Sequence, residues 1–180
     1  MKKETSKTTG ENAIQESGLK TLFVDELKDI LWAEKHLLKA MPKMAKGATS
    51  EELRSSIELH ITETENQIKR LEQVFEMLGQ KATAKKCEAM EGLVEEGKSM
   101  MEETEDGSLT RDAAIISSSQ KMEHYEIASY GTLRTLANTL GLTEAAALLE
   151  ETLEEEKNTD VKLTTIAENF VNESAKAEKE

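Results

Sequence analysis

The sequence predicts an all-α protein: four long helices forming two antiparallel helical hairpins, joined by a long crossover that carries a shorter extra helix. Three observations predict it. Apolar residues recur every three or four positions through most of the chain, the spacing of one buried helix face. The 180 residues include one proline and 3% aromatics, too few turn breakers and strand formers for a β-sandwich or barrel. The periodic stretches are cut at only a few places, and those cuts carry residues that stop or start helices.

The first stretch, Leu19 to about Lys46, places Phe23, Leu27, Ile30, Leu37, Met41 and Met44 on one face. Pro42 lies inside it and is expected to kink the last turn or end the main helix early. Gly47-Ala48-Thr49-Ser50 is the break, and Ser50 fits an N-cap followed by Glu51 and Glu52 in the positive first turn. The second helix, to Leu78, keeps the period through Leu53, Ile57, Ile61, Ile68, Leu71 and Val74, with Gly79 as its stop. A less regular third segment is expected from Thr83 to about Glu103. Asp106-Gly107-Ser108 breaks the chain again. A fourth helix follows from Thr110 or Arg111 to Leu140, closed by Gly141, and a fifth from a Thr143 N-cap to Phe170. Short loops make helices one and two, and four and five, antiparallel neighbours, and the middle segment is long enough to cross the bundle. That is a ferritin-like four-helix arrangement; an open helical array is the alternative.

Three regions are expected: a flexible arm over 1–17, the bundle over 18–170, and a charged tail over 171–180. Lys+Arg total 23 and Asp+Glu 36, a net charge of −13 that repels phosphate backbones and anionic lipid, so neither nucleic acid nor membrane is expected as a partner. The single Cys87 cannot make an intramolecular disulfide or a multi-thiolate zinc site. No apolar run approaches the roughly 20 residues needed to span a bilayer, and no signal peptide is recognisable, so a cytoplasmic location is expected.

The inward stripes contain acids where a core should be apolar. Glu34 interrupts the first helix between Ile30 and Leu37. Glu126 is central in the fourth, with Glu123 one turn earlier. Glu156 and Asp160 form an i, i+4 pair in the fifth, as Glu63 and Gln67 do in the second, where His60 lies three residues before Glu63. A buried carboxylate costs several kcal/mol unless paired or coordinated. One such Glu alone reads as a bundle-edge residue in water. Four helices with acids at matching depth suit two hard-to-borderline cations, iron or manganese. The usual di-iron pattern includes Glu-x-x-His, and here positions 66 and 159 are Asn and Thr. His60 can reach a metal or orient Glu63. Tyr130, one turn past Glu126, can bond a ligand carboxylate or serve as a redox-active phenol. His36 and His124 lie off the stripes, Trp32 is expected at a helix or dimer contact, and Cys87 reads as structural.

Several segments carry a family resemblance: Lys121-Met-Glu-His-Tyr-Glu-Ile-Ala-Ser-Tyr-Gly-Thr-Leu133, Glu151-Thr-Leu-Glu-Glu-Glu-Lys-Asn-Thr-Asp160, Ala33-Glu-Lys-His-Leu37, Glu63-Thr-Glu-Asn-Gln67 with Arg70-Leu-Glu-Gln-Val-Phe75, and Cys87-Glu-Ala-Met-Glu-Gly-Leu93. Over roughly residues 18–170 the chain resembles the YciE/YciF family of bacterial ferritin-like stress proteins. The resemblance implies a bundle that dimerises and holds a di-metal site. Carried across, the ligand candidates are Glu34, Glu63, Glu126, Glu156 and Asp160, with Glu123 as an alternate; Gln67 stands where some relatives have His. The expected function is a stress-associated protein binding two iron or manganese ions, oxidising Fe(II) or removing peroxide. The alternative is a non-catalytic dimeric helical stress or interaction protein with a vestigial carboxylate cluster.

Overall fold

In a computed structural model the described residues are 17–178. Five main helices follow in order: α1 Gly18–Gly47, α2 Glu51–Met77, α3 Glu88–Glu102, α4 Leu109–Thr139 and α5 Thr143–Ile166. A π-helical turn, Ala167–Val171, and a short helix α6, Asn172–Ala177, extend the last of these. The arm proposed for residues 1–17 lies outside the described residues except for Ser17, whose hydroxyl caps α1 by accepting from the Lys20 N–H at 3.2 Å.

The expected breaks are present and their chemistry is visible. Ser50 and Ser108 cap α2 and α4 by accepting from the N–H groups of Leu53 and Arg111. Gly79 and Gly141 adopt φ 66° and 74°, which a Cβ would resist. Each closes its helix by a pair of bonds back to the last turn: Gly79 and Gln80 to the Glu76 and Phe75 carbonyls, Gly141 and Leu142 to those of Asn138 and Ala137.

Four boundaries differ from the sequence expectation. Helix α1 runs unbroken through Pro42 to Gly47, because the ring faces solvent and only one N–H of the ladder is lost. Segment 83–87 is not helical: the Lys85 N–H bonds the Lys28 carbonyl of α1 at 3.0 Å, and α3 begins only after Cys87, whose sulfur caps Met90. Thr143 is inside α5 and makes no side-chain cap. The chain stays helical past Phe170. Glu178 then accepts from the N–H groups of Leu109 and Thr110 at 2.7 and 3.0 Å, tying the chain end to the positive start of α4.

Contacts fix the topology. Arg70 of α2 reaches Glu151 and Glu155 of α5, while Asp112 near the start of α4 accepts from Thr49 and Ser50 at the end of α1. The helices therefore pack in a ring, α1–α2–α5–α4, with every neighbour antiparallel, and α3 lies outside against α1 and α4. This is the expected ferritin-like pair of hairpins with a long crossover. Aromatic and branched side chains (Phe23, Leu27, Leu71, Phe75, Tyr130) fill the half of the core around the α1 start; Met41, Met44 and Met122 lie in the other half.

Candidate metal centre

The inward stripes meet halfway along the bundle in a polar layer. On α2 the stripe is His60, Thr64 and Gln67, spaced i, i+4, i+7 between Ile57 and Leu71, so all three face inward. Glu34 enters from α1, Glu123 and Glu126 from α4, and Glu156 from α5. All seven side chains are buried, four of them carboxylic acids. His60, Glu123, Glu126 and Glu156 each offer one ligand atom, and these lie within 4.8 Å of one another.

Their hydrogen bonds are incomplete. Among the described residues, nine buried side-chain atoms lack a hydrogen-bond partner, and every one belongs to this layer: Glu34 Oε2, His60 Nε2, Thr64 Oγ1, Gln67 Oε1, Glu123 Oε2 and both oxygens of Glu126 and Glu156. A native core rarely leaves even a few such atoms, because each costs about 1–3 kcal/mol. His60 Nε2 is 3.3 Å from Glu123 and 3.8 Å from Glu156, close enough for ionic attraction but not aligned for a hydrogen bond.

Electrostatics point the same way. Burial and the charge of Glu156 push Glu34 up to about 8, although the Tyr130 hydroxyl that donates to it opposes the shift. Burial lifts Glu123 and Glu126 well above the usual carboxylate range, and Glu156 is raised for the same reason. For His60, burial favours the neutral ring, but Glu123, Glu63 and Glu156 outweigh it and lift the imidazole to about 10. Four acids against one imidazole leave surplus negative charge that protons or bound cations must neutralise.

Positions around the layer differ from the sequence expectation for some candidates. Glu63 is only half-buried; it stands 3.6 Å from His60 Nδ1 and helps orient that ring, with Thr159 Oγ1 at 3.5 Å. Asp160 is turned to the α4 edge, where it accepts from Gln120 at 3.0 Å and pairs with His124 at 3.3 Å. Neither belongs to the close cluster. Conversely His60, read as an orienting partner or a ligand, stands inside it, and Glu123, the alternate, is as central as Glu126. Gln67 donates its amide to Glu155 at 3.1 Å. Glu155 is clamped by Arg70 at 2.6 and 2.7 Å, leaving the Gln67 carbonyl oxygen free.

On α2 the inward stripe passes through Glu63 or Thr64, and the structure turns Thr64 inward; sequence reading assigned Thr64 no role at the site. It also missed Asp112, whose only signal is a contact 63 residues away. A second polar chain, Asp29–Tyr125–Cys87, is separate from the layer: the phenol donates to Asp29 and lies 3.0 Å from the thiol, which burial pushes up. Trp32 stacks on His36 of its own helix at 4.4 Å.

The donor set fits a hard or borderline cation. Four carboxylates and one imidazole are the ligand types favoured by iron(II) and manganese(II), and the unpartnered oxygens are the atoms a cation would satisfy.

A family model described as a domain of unknown function, DUF892, matches residues 18–176. Protein YciF of Escherichia coli K12 is 49% identical over 158 residues, covering 87% of this chain and 95% of that protein. The crystal structure of the E. coli stress protein YciF superimposes with a TM-score of 0.81 at 48% identity, over 86% of this chain and 97% of that one. YcfI from Rhodopseudomonas palustris gives a TM-score of 0.81 at 39% identity, over 87% and 99%. A Xanthomonas campestris protein at 24% identity, with a TM-score of 0.67 over 86% and 94%, shares the fold.

Proposed function

The chain belongs to the DUF892 family, and we propose that its buried carboxylate layer binds two iron or manganese ions in a bacterial stress protein. One observation carries the reading: nine unpartnered polar atoms from four helices lie in one buried layer, where His60, Glu123, Glu126 and Glu156 bring ligand atoms within 4.8 Å of one another and Glu34 stands beside them. Glu34, Glu123, Glu126, Glu156 and His60 are the residues that would hold the ions. The Gln67 carbonyl and Thr64 hydroxyl oxygens are available beside them, and Glu63 and Asp160 stand at the margin. Such ions supply one-electron redox chemistry, the basis for Fe(II) oxidation or peroxide removal.

The chain's own residues supply the rest. Tyr130 donates to Glu34 and fixes its free oxygen. Glu63 and Thr159 flank His60 Nδ1 and set the ring so that Nε2 faces the acids. Arg70 and Glu155 hold the Gln67 amide nitrogen, which aims its oxygen. A single nitrogen donor makes the site oxygen-rich, which favours labile binding over fast turnover. Cation binding displaces protons, because the acids that burial keeps protonated must ionise to ligate.

A homodimer in the bacterial cytoplasm is part of the same proposal, and partially exposed Leu22, Val161 and Phe170 offer apolar contact area. Among the described residues no helix is long and apolar enough to cross a membrane. The second reading, a non-catalytic helical protein, is favoured by the raised carboxyl pKa values, since protons alone can then neutralise the layer.

Metal content separates the two. Anaerobic loading with Fe(II) or Mn(II), desalting and plasma mass spectrometry are expected to give about two ions per chain. A Glu34→Ala, Glu126→Ala, Glu156→Ala triple variant, checked for helicity, is expected to retain none. Near-zero metal in the parent protein sinks the redox reading and leaves the scaffold reading.

A further inference from the structure

The carboxylate layer has two ends, and they are built from different donors. One end faces a cavity of about 20 Å³ in the methionine-rich half of the core, and His60 and Glu123 are the acidic and basic members of the layer that line it. The other end is closed by Tyr130, whose hydroxyl donates to Glu34. Glu126 and Glu156 serve both ends. Each offers an oxygen within 4.8 Å of the His60 and Glu123 ligand atoms, while the charge of Glu156 acts on Glu34 and that of Glu34 on Glu126. On α2, Gln67 follows His60 by two helical turns, about 10 Å along the axis, and lines no part of the cavity, so it stands toward the Tyr130 end.

The orientation of Gln67 follows from its partner. Its amide nitrogen donates to Glu155 at 3.1 Å, and a carboxylate only accepts, so the nitrogen is held outward and the oxygen faces the layer. That oxygen is buried and has no hydrogen-bond partner. Glu155 in turn is gripped by both terminal guanidinium nitrogens of Arg70, at 2.6 and 2.7 Å, a two-pronged bond that a lysine could not make.

Each end therefore has one carboxylate of its own and one neutral donor: Glu123 with the His60 imidazole at the cavity end, Glu34 with the Gln67 amide oxygen at the Tyr130 end. Imidazole nitrogen binds first-row divalent cations more strongly than amide oxygen does. We propose that the layer's two cation positions are unequal, that the Gln67 oxygen completes the weaker one, and that Arg70 sets its strength by holding Glu155 and through it the amide. Arg70 is a positioning residue and does not touch the cation. Without it the Gln67 amide is free to turn over and present its N–H groups, which repel a cation. The proposal rests on the metal-binding reading, and its test distinguishes the two.

The test is an equilibrium titration of full-length, metal-free protein with Mn(II), the unbound ion being counted by its electron paramagnetic resonance signal. The parent protein is expected to bind in two steps at least about tenfold apart. Gln67→Leu, of similar volume but without the oxygen, is expected to weaken the second step at least about tenfold and to shift the first by less than about threefold. Arg70→Leu is expected to weaken the same step by about tenfold, and to move the side-chain amide resonance of Gln67 in the metal-free protein. Gln67→His places an imidazole between Glu155 and the layer, and is expected to bring the two steps within about threefold of each other. Two equal steps in the parent protein overturn this proposal and leave the metal reading intact. So does a folded Gln67→Leu or Arg70→Leu protein in which both steps fall together or neither changes. One ion in the parent and two in Gln67→His support unequal positions and defeat only the count of two. Binding of no Mn(II) by any of these proteins defeats the metal reading and this proposal with it. The parent and Gln67→Leu titrations decide even if Arg70→Leu does not fold.

Discussion

The two halves of the core flanking the carboxylate layer are built from the same helices with the same periodicity, yet they pack differently. Around the α1 start, Phe23, Leu27, Leu71, Phe75, Tyr130 and Leu133 are all essentially fully buried, rigid rings and branched chains with few rotamers. Toward the α1–α2 turn, three methionines share the wall of a cavity. Tyr130 binds the layer directly through Glu34, whereas on the opposite side His60 and Glu123 face open volume. One half holds the acids in place and the other leaves a small space beside two members of the layer, His60 and Glu123. A polar layer with unpartnered atoms needs both: rigidity to keep the donors converged, and room for what satisfies them.

Three predictions probe the contrast, beginning with the largest effect. Phe75→Ala empties the rigid half and is expected to cost about 3–5 kcal/mol in urea unfolding. A cost below that of Met122→Ala in the open half breaks the comparison.

The layer itself gives the second. Glu34 has a pKa of about 8 in the fold against an ordinary 4.5, so between those values the folded chain binds more protons than the unfolded one. Stability of metal-free protein must then fall as pH rises through that window. His60, raised from 6.5 to about 10, extends the fall upward, because its favourable charge is fully present below 6.5 and is lost through 10. The expected loss from pH 5 to 8 is at least about 3 kcal/mol, measured by denaturant titration at each pH. Metal-loaded protein is expected to lack the fall, since its acids are already ionised and neutralised. Flat stability in the metal-free form contradicts the raised Glu34 and His60 values.

The third compares the same added volume in the two halves. Ala137→Leu overpacks the closed half, where Ala137 is fully buried, and is expected to cost about 1–3 kcal/mol. Ser119→Leu grows partly into existing space and is expected to cost less than Ala137→Leu. Equal costs mean that both halves are equally full.

Much of this was legible from the residues. The period-3.6 stripe placed Glu34, Glu123, Glu126 and Glu156 inward before any neighbour was known, and the cap and stop residues Ser50, Gly79 and Gly141 fixed most helix ends. Those signals are local: they depend on a residue and its own helix turn. Glu63 and Asp160 were less readable because neighbouring helix positions differ by about 100°, so a stripe is blurred by roughly one residue. Helix crossing then decides which carboxylate enters the core and which turns to an edge partner such as Gln120. Pro42 shows the same limit, since its cost depends on whether the ring meets solvent or a neighbour.

By itself, then, the sequence determined the helices, their hairpin order and a belt of acids at one depth, because backbone hydrogen bonding and amphipathic spacing act within a few residues. Only the tertiary structure decided that His60 joins the acids and that Thr64 and Gln67 present unpartnered oxygens. It alone decided that Asp112 closes the α1–α2 turn and that the layer is open on one side. Those outcomes depend on distances between helices far apart in the chain, set by how whole side chains interlock.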